Sequence, residues 1–305
     1  MDNYLFFIAW TSIGIQLMVP VAMASFGELI SEKSGVLNIG IEGCMLIGAF
    51  STAFIGIVYG SIFLGIMAGI LSGFISGVIL GIIFIWRNMD QIVSGLMFNL
   101  FAFGLTGTLH SSFLSGQMGP TLSSFGFVGT EANPLLQILS QQNLSFLVLL
   151  IIFCIVIFLI KFTWFGLHLN ASGERPMAVT SSGKNVASIR FVSVIICCIF
   201  ASLAGSILVA TSSGGFVPGM TAGRGFIALG IVVLARWKPL MVLIASFIFG
   251  LTQALQFVGG QAPIFENVSP QLWTALPYLL IILLVIIIKG ASYPKAVGIP
   301  LKKFQ

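Results

Sequence analysis

Long unbroken runs of apolar residues dominate the chain; alternation of apolar and polar positions is rare. A helix needs about 20 apolar residues to cross a hydrocarbon core. Runs of that size fall at 5–27, 36–58, 61–86, 91–109, 144–160, 191–212, 240–258 and 271–288. A further apolar stretch, 226–235, is too short to cross as a straight helix. The pattern predicts an all-α integral membrane protein, a polytopic bundle of about eight full transmembrane helices plus a short half-helix near 226–235. The chain reads as a single transmembrane domain, 1–305, with an external segment 110–143, a main cytoplasmic loop 161–190 and a cytoplasmic tail 289–305.

Composition turns this pattern into a constraint. Charged residues make up 7% of the chain and hydrophobic residues 58%. Soluble domains carry roughly 25% charge, so this surface is built for lipid. A soluble enzyme, a disordered chain and a disulfide scaffold are excluded, and continuous runs exclude an outer-membrane barrel. Residues 4–19 with Ala22-Met23-Ala24 imitate a secretory signal, but no Lys or Arg precedes Lys33, so the segment reads as a retained first span.

The formal charge of +5 records topology rather than a nucleic-acid partner. With the tail inside, carrying Lys289, Lys295, Lys302 and Lys303, every other Lys and Arg except Arg224 also falls inside, provided 226–235 joins opposite faces. The N-terminus is then external and the C-terminus cytoplasmic. The external segment holds His110, Pro120, Glu131 and Pro134 but no Lys or Arg.

Gly65, Gly69, Gly73, Gly77 and Gly81 recur along one face of the third span. A bare ridge of this kind lets another helix approach closely; it serves as a packing seam or lines a pathway. Two Gly-rich stretches, 34–40 and 222–228, stand near the starts of apolar spans in opposite halves and suggest pseudo-repeated halves. Cys44, Cys154, Cys197 and Cys198 lie in apolar stretches without metal-site spacing and read as small buried hydrophobes.

Polar groups inside the spans are expensive. Glu42, with Asn38 one turn earlier on its face, is either a pathway or proton-relay residue, or an acceptor for backbone N–H groups at a helix break. Glu28, Glu32 and Lys33 mark a solvated interface or an ion site. Asn99, and the pair Gln253 and Gln256, either join helices by hydrogen bonds or read a polar neutral solute. Gly183-Lys184-Asn185 imitates a phosphate-binding loop, but Ala178 and Asn185 stand where that motif needs Gly and a hydroxyl residue. His110 and His168 show no metal-ligand spacing, and no Ser or Cys nucleophile has a local signature.

The stretch from Phe26 to Gly43, with Asn38, Glu42 and Gly43, resembles the N-terminal signature of bacterial ABC-importer permeases serving branched-chain amino acids, ribose-type sugars and nucleosides, closest to the nucleoside and simple-sugar branch. Residues 173–185 resemble that family's cytoplasmic loop, with Val179 and Lys184 departing from its usual pattern. Gly223–Leu229 followed by Arg236-Trp237-Lys238-Pro239 is a third match. The resemblance implies separate ABC ATPase subunits that carry ATP and magnesium, a second, non-identical permease and an external solute-binding lipoprotein, in a bacterial cytoplasmic membrane. It implies an ATPase-coupling segment at Glu174, Arg175, Pro176, Ala178, Gly183, Lys184 and Asn185, expected as a short helix, and a secondary cytoplasmic contact at Arg236–Pro239. No cofactor is expected on this chain.

Overall fold

Where water is absent, backbone groups must be satisfied within the segment itself, which makes apolar runs helical. The computed structural model describes residues 3–114, 116–122, 134–211, 215–258, 270–287 and 293–300. Glu131, Lys289, Lys302 and Lys303 lie outside the described residues. The helices, in chain order, are α1 (Asn3–Ser34), α2 (Ile41–Tyr59), α3 (Ile62–Gly81), α4 (Gln91–Phe113), α5 (Pro134–Ser140) and α6 (Leu144–Phe162). They continue as α7 (Trp164–Glu174), α8 (Pro176–Ser181), α9 (Val186–Thr211), α10 (Arg224–Leu234), α11 (Pro239–Val258) and α12 (Pro270–Ile287). A π turn, Ile82–Trp86, prolongs α3.

Among the described residues, seven helices are long and apolar enough to span a membrane: α1, α2, α3 with its π turn, α4, α6, α9 and α11. The predicted eighth span corresponds to α12, 18 residues long. The predicted half-helix is α10. No strand occurs among the described residues.

Helix α1 is the central post. It packs against α9 and α11 along much of its length and also touches α10, α7 and α6. The glycine ridge of α3 lies against α2 and α9. A Cβ placed at Gly65 would stand 2.6 Å from the Thr52 carbonyl oxygen, and one at Gly73 2.8 Å from that of Cys198. One at Gly77 would meet the Ile195 Cα at 2.7 Å. Gly69 faces Thr52 and Ser206, whose hydroxyls bond at 2.7 Å across the seam, and Gly81 meets the Phe191 ring.

Four sequence expectations change. Helix α1 runs past 27 to Ser34, so Glu28, Glu32 and Lys33 are helical; both carboxylates are fully buried rather than at a solvated interface. The cause is a knot of elements under the end of α1. Ser172 Oγ and Arg190 Nε both donate to the Ser34 carbonyl, at 2.9 and 3.1 Å. Arg190 Nη1 reaches Ile299 O at 3.2 Å, and the Ala296 N–H donates to Gly173 O at 2.8 Å. Second, Arg190 belongs to α9 rather than to the preceding loop, and His110 lies in the last turn of α4. Third, Cys154 is exposed on α6, where it faces outward from the bundle; Cys44, Cys197 and Cys198 are buried. Fourth, Arg224, which charge counting assigns to an external connection, begins α10 and is half-buried, its Nη1 folded back on Met220 O at 3.0 Å.

Candidate functional site

Helix α10 has 11 residues, and the described segment before it, 215–223, is not helical. Its first backbone N–H groups therefore need acceptors from elsewhere. Glu42, in the first turn of α2, supplies them. One carboxylate oxygen accepts from Thr221 Oγ1 at 2.5 Å and from the Gly223 N–H at 2.9 Å. The other accepts from the Gly225 N–H at 2.6 Å. The helix dipole favours negative charge at this place. Gly225 permits the approach: a Cβ there would stand 2.7 Å from Glu42 Oε2 and 2.8 Å from the Glu42 backbone nitrogen. The Gly-rich stretch 222–228 thus closes on a carboxylate that stands two residues after the other such stretch, 34–40.

Side chains of α4 brace the turn that precedes α2. Asn99 Oδ1 accepts from the Gly43 N–H at 2.8 Å, and its Nδ2 donates to Ile39 O at 2.8 Å. Gln91 Oε1 accepts from the Leu37 N–H at 2.8 Å. Asp90 caps α4 itself through the Ile92 and Val93 N–H groups. Asn38 is fully buried. Its N–H donates to Glu28 Oε1 at 2.9 Å, and its Nδ2 reaches the Cys197 and Cys198 sulfurs at 3.3 and 3.4 Å. The Cys197 thiol donates to Glu28 Oε2 at 3.2 Å.

A cavity of about 490 Å³ opens between α2, α4 and the segment leading into α10. Glu42, Asn99 and Thr221 border it, and Leu46, Phe103 and Phe226 are among the residues of its largely apolar lining. Of the pathway residues proposed from sequence, Glu42 and Asn99 share this cavity; Asn38 sits behind it in the α1–α2 turn. Gln253 and Gln256 do not line it. They are half-buried on α11, whose Gly250 and Leu251 meet Gly14 and Trp10 of α1. Thr221 and Gln91 escaped the sequence reading, and Cys197 is read there only as a small hydrophobe, because a lone Thr, a helix-start Gln and an apolar-run Cys carry no local signal.

On the cytoplasmic loop, Glu174 closes α7, Arg175 precedes α8 and Pro176 is its first residue. Val179 is buried against Val186, while Met177 and Ala178 point outward. Gly183 takes φ +75° at the turn after α8. Lys184 is exposed; Asn185 is exposed too, but its Oδ1 accepts the Ala187 N–H at 2.9 Å and so caps α9. The expected secondary contact divides. Arg236 and Lys238 are exposed, whereas Pro239 and Trp237 are buried and unavailable to a partner. Trp237 turns inward because its Nε1–H donates to Glu32 Oε2 at 2.5 Å and its ring meets Tyr293 edge-on at 4.7 Å. Among the described residues no three His, Cys, Asp or Glu side chains are arranged to hold a metal.

Comparison with known proteins places this geometry. The chain is 31% identical over 294 residues to the guanosine ABC transporter permease protein NupQ of Bacillus subtilis, covering 92% of each chain. It is 30% identical over 298 residues to the nucleoside ABC transporter permease protein NupC of Lactococcus lactis, again covering 92% of each. A solved metal-chelate type ABC transporter in an inward-facing conformation shares the fold, with TM-score 0.53 at 17% identity over 91% of this chain and 85% of that one. The family model described as branched-chain amino acid transport system / permease component matches residues 11–285. A multi-pass helical chain matched over almost its whole length by that model, and by two ABC transporter permeases, belongs to this permease family.

Proposed function

We propose that this permease moves a nucleoside inward across a bacterial cytoplasmic membrane, as the membrane-spanning subunit of an ABC importer. The observation that carries the substrate is the 31% identity along 92% of the chain to a guanosine permease. A solute-binding lipoprotein delivers the nucleoside from outside. A second, non-identical permease completes the pathway, and separate ATPase subunits hold ATP and magnesium. The N-terminus is external and the C-terminus cytoplasmic.

The energy enters through α8. This chain has no nucleotide-binding motif of its own, and the exposed turn at Gly183–Asn185 lacks the residues a phosphate loop needs. The short helix before it is anchored from behind by Val179 and turns Met177 and Ala178 outward. That is the form of a knob seated in a groove of a partner. A proton-coupled carrier built on Glu42 has less support, since three donors already occupy its oxygens.

The test is reconstitution. Proteoliposomes holding both permeases and the ATPases should concentrate labelled guanosine only with ATP on the ATPase side and the loaded binding protein on the other. Concentrative uptake by this chain alone, abolished by a proton uncoupler, would overturn the proposal.

A further inference from the structure

The Glu42 cavity is lined almost wholly by apolar surface; the polar side chains that border it, Glu42, Asn99 and Thr221, are buried and already hydrogen-bonded within the fold. Two aromatic rings stand on different elements of that lining: Phe103 on α4, 53% exposed, and Phe226 on α10, 44% exposed. Both are set by close backbone contacts. Gly219, at φ +74°, brings the incoming segment so near Phe103 that a Cβ there would lie 3.2 Å from its Cε2. Phe226 follows Gly225, whose N–H is held by Glu42.

A solute made only of hydroxyl groups would lose its water against Leu46, Leu96 and Leu100 and find no replacement hydrogen bonds there. A flat ring that can stack on the two phenylalanines suits this lining. The geometry points to a weak way-station in this cavity for the flat ring of a heterocyclic solute, with Phe103 and Phe226 as its specificity-determining residues. The inference rests on the nucleoside reading above and goes beyond it in assigning the ring-binding residues. Stacking tolerates any base, because every base has a π face. Contacts of this kind hold a passing solute without trapping it, as conduction requires.

The experiment uses the complete transporter in proteoliposomes, with guanosine and ribose as probes. Phe103→Ala and Phe226→Ala should each lower guanosine uptake roughly tenfold, with the half-saturating concentration of binding protein unchanged. Phe101→Ala, on the same helix but off this cavity, should stay near the unsubstituted rate. Phe226→Trp should retain uptake, and its added fluorescence should be quenched by guanosine and not by ribose; Phe226→Leu should fail to restore uptake. If guanosine is taken up and Phe226→Ala matches Phe101→Ala, or Phe226→Leu works as well as Phe226→Trp, the way-station is overturned while the nucleoside reading stands. Uptake of ribose but not guanosine by the unsubstituted complex overturns both.

Discussion

The Glu42 carboxylate accepts a 2.6 Å hydrogen bond from the Gly225 N–H, across 183 positions of sequence. It caps a half-helix that no neighbouring residue caps. It also fixes the distance between the first turn of α2 and the first turn of α10, both of which border the same cavity. A carboxylate inside a membrane protein is tolerable when fixed donors replace water, and here one hydroxyl and two backbone N–H groups do so.

Glu42→Gln tests that arrangement. The amide keeps the shape but turns one acceptor into a donor, so either Gly225 or the Gly223–Thr221 pair faces an N–H group. A hydrogen bond to a charged group contributes about 1.5–3 kcal/mol, and a loss of about 2 kcal/mol is expected. Thermal unfolding of the purified protein should shift downward, and amide exchange should rise first at 223–226. A proton-relay role predicts a different outcome: unchanged stability, with transport lost.

Helix packing gives a second contrast. At Gly205 an added Cβ would stand 2.0 Å from the Met45 carbonyl oxygen, which is backbone and cannot rotate aside. Gly205→Ala should therefore force α2 and α9 apart and destabilise by about 1–3 kcal/mol. At Gly104, on the exposed face of α4, an added Cβ meets nothing. Gly104→Ala should be neutral or stabilise by up to about 1 kcal/mol, through chain entropy alone. Thermal denaturation in one detergent compares the two directly; equal shifts would contradict the packing account.

The spans were legible because lipid leaves few options for an apolar run. The half-helix was legible because its apolar run is too short to cross a membrane as a straight helix. Glu28 and Glu32 were not legible: a carboxylate pair at the end of an apolar run looks the same whether water or protein lies beyond it. What buries them are Trp237, Asn38 and Cys197, which only the fold brings near. For the same reason Glu42 and Asn99 could be singled out as polar intruders while their partners could not. Gln253 and Gln256 had an equally strong polar signal, yet their helix turns toward α1 and away from the cavity.

Trp237 ties the far end of α10 to α1. It follows Arg236, and both take left-handed backbone conformations, φ 55° and 50°. The Nε1–H to Glu32 bond supports this turn. Glu32 Oε1 already lacks a hydrogen-bond partner among the described residues. Trp237→Phe keeps the ring and deletes the donor, leaving a buried carboxylate with none of its side-chain bonds. The expected cost is about 1–3 kcal/mol, read as a lower unfolding temperature. Trp237→Phe combined with Glu32→Gln should recover part of the loss, because a side chain that cannot ionise is cheaper to leave buried without that donor than one that can.

The proposed coupling role of α8 can be separated from its folding role, because its two faces differ. Val179 is 2% exposed and packs on Val186, whereas Ala178 beside it is exposed. Val179→Glu buries a charge and should loosen α8 from α9, lowering stability by several kcal/mol unless the helix detaches. Ala178→Glu alters only the outward face, and surface changes of that kind shift stability by about 0.5 kcal/mol or less. If that face seats in the ATPase, Ala178→Glu should abolish ATP-driven guanosine uptake and recovery of the ATPase with the permease, while membrane insertion and unfolding temperature stay unchanged. A charge-preserving insertion beside Gly183 displaces the same knob and should uncouple transport in the same way. Normal uptake by both variants would show that the ATPase grips the permease elsewhere, with exposed Arg236 and Lys238 as the next surface to substitute.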